Sequence, residues 1–159
     1  MATSWMWGNV VRQLTEGDKL AILAQAPLLA EFSRFELAAL LDYLHERRYH
    51  AFETIFHEKE PGTGFYIVLS GRVRIQGVTL SGSVELQPGA VFGEISLIEP
   101  LPRLAQATAL EDTVVWGFFQ ADLSGLEERD PALARKLLRG MVRILSLRLQ
   151  AKHRVFGHE

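Results

Sequence analysis

Apolar residues along this chain follow three successive rhythms, and the changes between them mark out its elements. Over 15–26, Leu20, Leu23 and Ala24 fall on one side of a helix, and Pro27 ends the pattern because proline disfavours the helical conformation in the residue before it. A second helix is expected over 33–47. Ser33 and Glu36 form a capping box, in which hydroxyl and carboxylate each satisfy a free backbone N–H, and Leu37, Leu40, Leu41 and Leu44 follow at helical spacing.

From 49 to about 119 the period changes to two, with β-branched and aromatic residues between glycine or proline breaks. This predicts short strands at 49–56, 64–69, 72–77, 83–87, 105–110 and 113–119. Gly62, Gly64, Gly71, Gly77, Gly82, Gly89 and Gly93 punctuate them. Many short strands at this spacing imply a mainly β fold with flanking helices, an antiparallel roll, sandwich or barrel rather than a βαβ sheet.

Helical spacing returns over 122–129, and again over 131–154 behind Asp130 as N-cap and Pro131 at the first helical position. The long helix carries two apolar stripes, Leu133/Leu137/Gly140/Ile144/Leu147/Ala151 and Ala134/Leu138/Met141/Leu145. That is more than one core requires. The strand body is one partner, and the same helix of a second copy, in a homodimer, is the expected other. Gly140 costs about 1 kcal/mol relative to alanine inside a helix, and a close helix–helix approach would account for it.

Composition narrows the class. With 159 residues, 48% apolar and 23% charged, the chain supports one hydrophobic core, and a single domain over 1–159 is expected. The absence of cysteine excludes disulfides, thiolate zinc sites, iron–sulfur clusters and a cysteine nucleophile, and fits a cytoplasmic location. The amino terminus has no secretory pattern, and no apolar run approaches the ~20 residues that span a bilayer, so no membrane partner is expected. The formal charge of −2 conceals an asymmetry: residues 1–130 carry 10 basic and 18 acidic side chains, residues 131–159 carry 7 and 1. A basic helix on an acidic body is either a solvated face or an electrostatic handle for an effector protein.

Candidate chemistry concentrates in residues 88–109, PGAVFGEISLIEPLPRLAQATA. Gly93 precedes Glu94, a short turn over 94–98 runs into the Pro100-Leu101-Pro102 break, and Arg103 enters an apolar strand. Free turn amides opposite a guanidinium suit an anion, because both donate toward phosphate oxygens. A carboxylate beside them is tolerable only if it meets neutral hydroxyls, as on a ribose. On spacing alone, an Arg–Glu pair bracing a loop is as good a reading.

This run resembles the phosphate-binding cassette of the cyclic nucleotide-binding domain family, whose pattern is F-G-E-(L/I)-(A/S/G)-L, a short spacer, then P-R-(A/S/T)-A. GTGFYIVLSGRVRI at 62–75 resembles the family's strand–glycine–strand hairpin, and the flanking helices resemble those that bracket its β-roll, so the resemblance covers nearly all of 20–150. It implies an antiparallel β-roll of the jelly-roll type, with a cassette over 92–105. It also implies that Glu94 bonds the ribose 2′-hydroxyl, that Arg103 holds the phosphate, and that backbone around Gly93, Ile95, Ser96, Leu104 and Ala105 completes the cradle. Leu104 departs from the pattern. Family members favouring cGMP tend to have threonine there, so the resemblance implies cAMP over cGMP as ligand, with no further cofactor. The loop over 77–89 is also shorter than in many relatives.

An enzyme is not expected. The five histidines, His45, His50, His57, His153 and His158, contain no H-x-H for a cupin-type metal site, and no nucleophile elbow, HExxH or P-loop lysine motif occurs. A DNA reader resembling the catabolite activator protein would need further helices after the long one, where only Lys152 to Glu159 remain, so direct DNA binding is not expected. The expectation is therefore a stand-alone sensor that signals by moving its last helix. A protein-interaction module of the same fold without ligand is the alternative.

Overall fold

The computed structural model describes residues 14–77 and 82–156. The expectation for the extreme amino terminus, and part of the loop over 77–89, lie outside the described residues.

Two four-stranded antiparallel sheets form the body, ordered β1-β8-β3-β6 and β2-β7-β4-β5. Their strands are β1 (His45–Tyr49), β2 (Thr54–Phe56), β3 (Gly64–Ser70), β4 (Val73–Gln76), β5 (Ser83–Leu86), β6 (Val91–Phe92), β7 (Gln106–Ala109) and β8 (Thr113–Phe119). Helices α1 (Glu16–Ala24), α2 (Arg34–Leu41), α3 (Gln120–Arg129) and α4 (Pro131–Phe156) flank them, with one-turn 3₁₀ segments at Pro27–Leu29 and Glu94–Ser96. This is the mainly β roll with flanking helices, ending in a long helix, that the sequence led us to expect.

Strand β3 shows why it reads as an unbroken apolar run. Phe65, Ile67 and Leu69 join Val114, Trp116 and Phe118 of β8 under the helices, in the larger core. The alternate residues Tyr66 and Val68 point the other way, meeting Phe56, Val73, Phe92, Ala107 and Val115 between the two sheets. A strand buried on both faces has no polar side to show.

The second helix is shorter than expected: it stops at Leu41, and 45–49 is β1 rather than helix. His45-Glu46-Arg47-Arg48-Tyr49 pairs in register with β8 from Gly117 to Thr113. As an edge strand with four exposed positions it carries no alternation to read. The strand expected over 49–56 is accordingly split, with Phe52 at a positive φ of 69° in the turn before β2. Strand β6, two residues long, was not anticipated.

Local caps are where the sequence places them. Ser33 Oγ accepts from Glu36 N–H at 3.2 Å while Glu36 Oε1 accepts from Ser33 N–H at 3.0 Å. Asp130 Oδ1 accepts from Leu133 N–H at 3.1 Å at the start of α4. Lys136 of α4 donates to Glu36 at 2.8 Å, tying the helices together, and this bond lowers the Glu36 pKa from the usual carboxylate value.

The first half of α4 buries both stripes against its own chain: Leu133, Ala134, Leu137 and Met141 all belong to the larger core. Gly140 has a different partner from the one expected. A Cβ there would collide with the carbonyl oxygen of Leu28, so the glycine lets α4 lie directly on the Pro27–Leu29 turn of the same chain. Beyond Ile144 the helix adds nothing to the hydrophobic core, and every residue over 145–153 is exposed.

Candidate functional site

The cassette is positioned by the turn between β6 and β7. Gly93 adopts a φ of +79°, a left-handed conformation that starts the 3₁₀ turn Glu94–Ser96. It has no room for a side chain either, since a Cβ would sit 2.5 Å from Arg103 Nη1. Two pieces of chain then lie side by side, joined by Gly62 N–H to Leu101 O at 3.1 Å and Arg103 N–H to Glu60 O at 2.8 Å.

Arg103 is the centre of this arrangement and only 6% exposed. Its Nη1 donates to Gly93 O at 2.8 Å and its Nη2 to Gly64 O at 3.0 Å, while Cζ stacks 4.2 Å from the Phe56 ring centroid. Burial pulls its pKa below the ordinary guanidinium value. Among the described residues its buried Nε has no hydrogen-bond partner. A buried N–H left orphaned costs free energy, which an anionic oxygen would recover.

Glu94 is 5% exposed, and its Oε1 pairs with Nη1 of Arg148, from the far end of α4. Ser96 is buried too. Its hydroxyl donates to Leu101 O at 3.2 Å, and its N–H turns back to Gly93 O at 3.4 Å.

All seven residues singled out in the sequence, Gly93, Glu94, Ile95, Ser96, Arg103, Leu104 and Ala105, line one cavity of about 520 Å³. That volume is in the range of small-molecule sites. Leu104 sits on its rim, 63% exposed. The sequence did not point to the apolar floor from the second sheet, Ile75, Val84 and Leu86, nor to Arg148 and Lys152 of α4. It also missed Gly62, where a Cβ would strike Ser96 and lie 2.8 Å from Arg103 Cζ. Sequence spacing carries no signal for these, because four separate elements meet here. No described histidine lines the cavity: His45 Nε2 lies 2.8 Å from Asp122 Oδ1, and His50 Nδ1 lies 3.7 Å from Asp112.

The turn of this β-roll thus presents a buried carboxylate and a buried guanidinium to one cavity, an arrangement whose chemistry suits an anion that also carries hydroxyls. The family model of the cyclic nucleotide-binding domain matches residues 46–130, and the chain belongs to that family. It is 34% identical over 116 residues to the Cyclic AMP receptor protein of Thermus thermophilus, an alignment covering 70% of this chain and 54% of that protein. It is 32% identical over 108 residues to the cAMP-dependent protein kinase regulatory subunit of Candida albicans, covering 68% of this chain and 23% of that one. Among solved structures it resembles the N-terminal domain of a transcriptional regulator from Streptomyces coelicolor, with a TM-score of 0.72, 30% identity, and coverage of 82% and 93% of the two chains. The aligned region thus spans about half of the Thermus protein and about a quarter of the kinase subunit.

Among the described residues no helix is long and apolar enough to cross a membrane.

Proposed function

We propose that this chain is a regulatory module that binds a cyclic nucleotide, cAMP in preference to cGMP, and signals through the position of α4. The observation that carries the reading is a buried guanidinium with an orphaned Nε and a buried carboxylate on the wall of one cavity. Arg103 would hold the single negative charge of a cyclic phosphate, since its fork-shaped donor set matches phosphate oxygens. Glu94 would accept from ribose hydroxyls, and the apolar floor of Ile75, Val84 and Leu86 would take the base. Leu104 has no hydroxyl to meet the amino group of guanine, which supports adenine, as does the cyclic AMP in the name of the Thermus relative.

Calorimetric titration tests this directly. One molecule of cAMP per chain is expected to bind, more tightly than cGMP. Absence of heat with both nucleotides would sink the assignment, and tighter cGMP binding would reverse the preference.

We further propose that the module is a homodimer through α4. Leu138, Val142, Leu145 and Leu149 recur at intervals of four, three and four residues, the seam spacing of a coiled coil. Leu138 packs against the core, but Val142, Leu145 and Leu149 are 64%, 37% and 59% exposed, so the outer part of this stripe belongs to no core among the described residues. Sedimentation at micromolar concentration is expected to give twice the chain mass, falling to the chain mass in Val142→Glu. A monomeric wild type would retire the pairing.

A further inference from the structure

The carboxylate assigned above to the ribose is already engaged. Glu94 is buried, and an unpaired buried carboxylate is costly, so a cation beside it stabilises the free protein. That cation comes from α4, whose Arg148 side chain remains about half exposed. Every residue over 145–153 is exposed, so no buried side chain anchors this end of the helix. Lys152, one turn further on, lines the same cavity, so the helix end lies across the site with two positive charges toward it.

The geometry points to Arg148 as a self-competing latch: its guanidinium occupies Glu94 in the free protein, and a ligand's hydroxyls must displace it, which releases the end of α4. The inference rests on the nucleotide reading for its ligand, but not for the contact itself. Both claimants on Glu94 are hydrogen-bond donors, and a ribose hydroxyl reaching Oε1 from the cavity needs the space that the Arg148 guanidinium fills. Binding and release of the helix are therefore one exchange. The apparent affinity is then the intrinsic affinity multiplied by the unlatched fraction of the free protein.

Two measurements on the full chain test the latch. The first is titration of wild type, Arg148→Ala and Arg148→Lys with cAMP and cGMP. Arg148→Ala is expected to bind about fivefold more tightly than wild type, as for loss of an ion pair with one exposed partner, and Arg148→Lys to return toward wild type. Affinity unchanged or weakened by Arg148→Ala, while wild type binds, overturns the latch alone; weakening would make Arg148 a ligand contact. No binding by any of the three overturns the nucleotide reading and the competition with it. The second measurement, hydrogen exchange without nucleotide, is independent of that reading. Exchange over 145–153 is expected to quicken in Arg148→Ala and equally in Glu94→Gln, with no further gain in the double variant. Exchange that neither substitution changes would overturn the contact itself.

Discussion

Replacing Gly140 by alanine is expected to lower the melting temperature by roughly 4–8 °C, although alanine is the better helix former. The added methyl would meet the carbonyl of Leu28, a backbone atom that cannot rotate aside as a flexible side chain would. Relief requires moving α4 away from the Pro27–Leu29 turn, and that loosens Leu133, Leu137 and Met141 in the core beneath. Overpacking of this kind costs about 3 kcal/mol, against about 1 kcal/mol regained in helix propensity, for a net loss of about 2 kcal/mol. Gly125 of α3 is the internal control: a Cβ there would meet only Tyr43 Cε1, at 3.9 Å, which is ordinary contact. Gly125→Ala is expected to raise the melting temperature slightly, by up to about 1 kcal/mol of stability. Thermal unfolding of both variants separates steric clash from propensity. A stabilised Gly140→Ala would show that α4 does not rest on that turn.

Gly140 also shows where sequence reasoning stops. Spacing identifies the face on which a helical residue lies, but not which surface approaches it, and the expected second helix proved to be a 3₁₀ turn more than a hundred residues earlier in the same chain. The features that were legible are local ones. The Ser33–Glu36 box and the Asp130 cap are decided within four residues, so composition at those positions is sufficient. Strands β3 and β8 are legible because both faces are buried, which leaves only apolar letters. Strand β1 was not, because it is held by backbone pairing to β8 along one edge and its side chains obey no period. The site divides in the same way. Glu94 and Arg103 lie in one cassette and were found through its resemblance to a family pattern. Arg148 was not found, since nothing in the spacing of 131–159 distinguishes it from Arg135, Arg139 or Arg143. Only the path of α4 past the cavity does so.

Replacing Arg103 by alanine is expected to damage fold and site together, and the two losses can be measured apart. Its guanidinium ties the left-handed turn at Gly93 to the start of β3 at Gly64 and roofs the Phe56 ring. Truncation leaves two carbonyls without their charged donor and a void in the space that Gly62 and Gly93 keep clear. Together these correspond to about 3 kcal/mol, or roughly 6–12 °C in melting temperature. Affinity for a cyclic nucleotide is expected to fall at least about a hundredfold, because the phosphate loses its fork of donors. Arg103→Lys separates the two effects. Lysine keeps the positive charge and much of the apolar stem, so stability should recover in large part. A single ammonium cannot reach Gly93, Gly64 and a phosphate at once, so binding should remain weak. Titration run well below each variant's melting temperature distinguishes the contributions. Full affinity in Arg103→Ala would remove the phosphate from this residue, and an unchanged melting temperature would remove its part in holding the turn. The coupling has a consequence for the signal. The guanidinium that would hold the anion through Nε is the one that ties the Gly93 turn through Nη1, so an anion engaging Nε would pull on that turn, and Glu94 with its contact to α4 begins at the next residue.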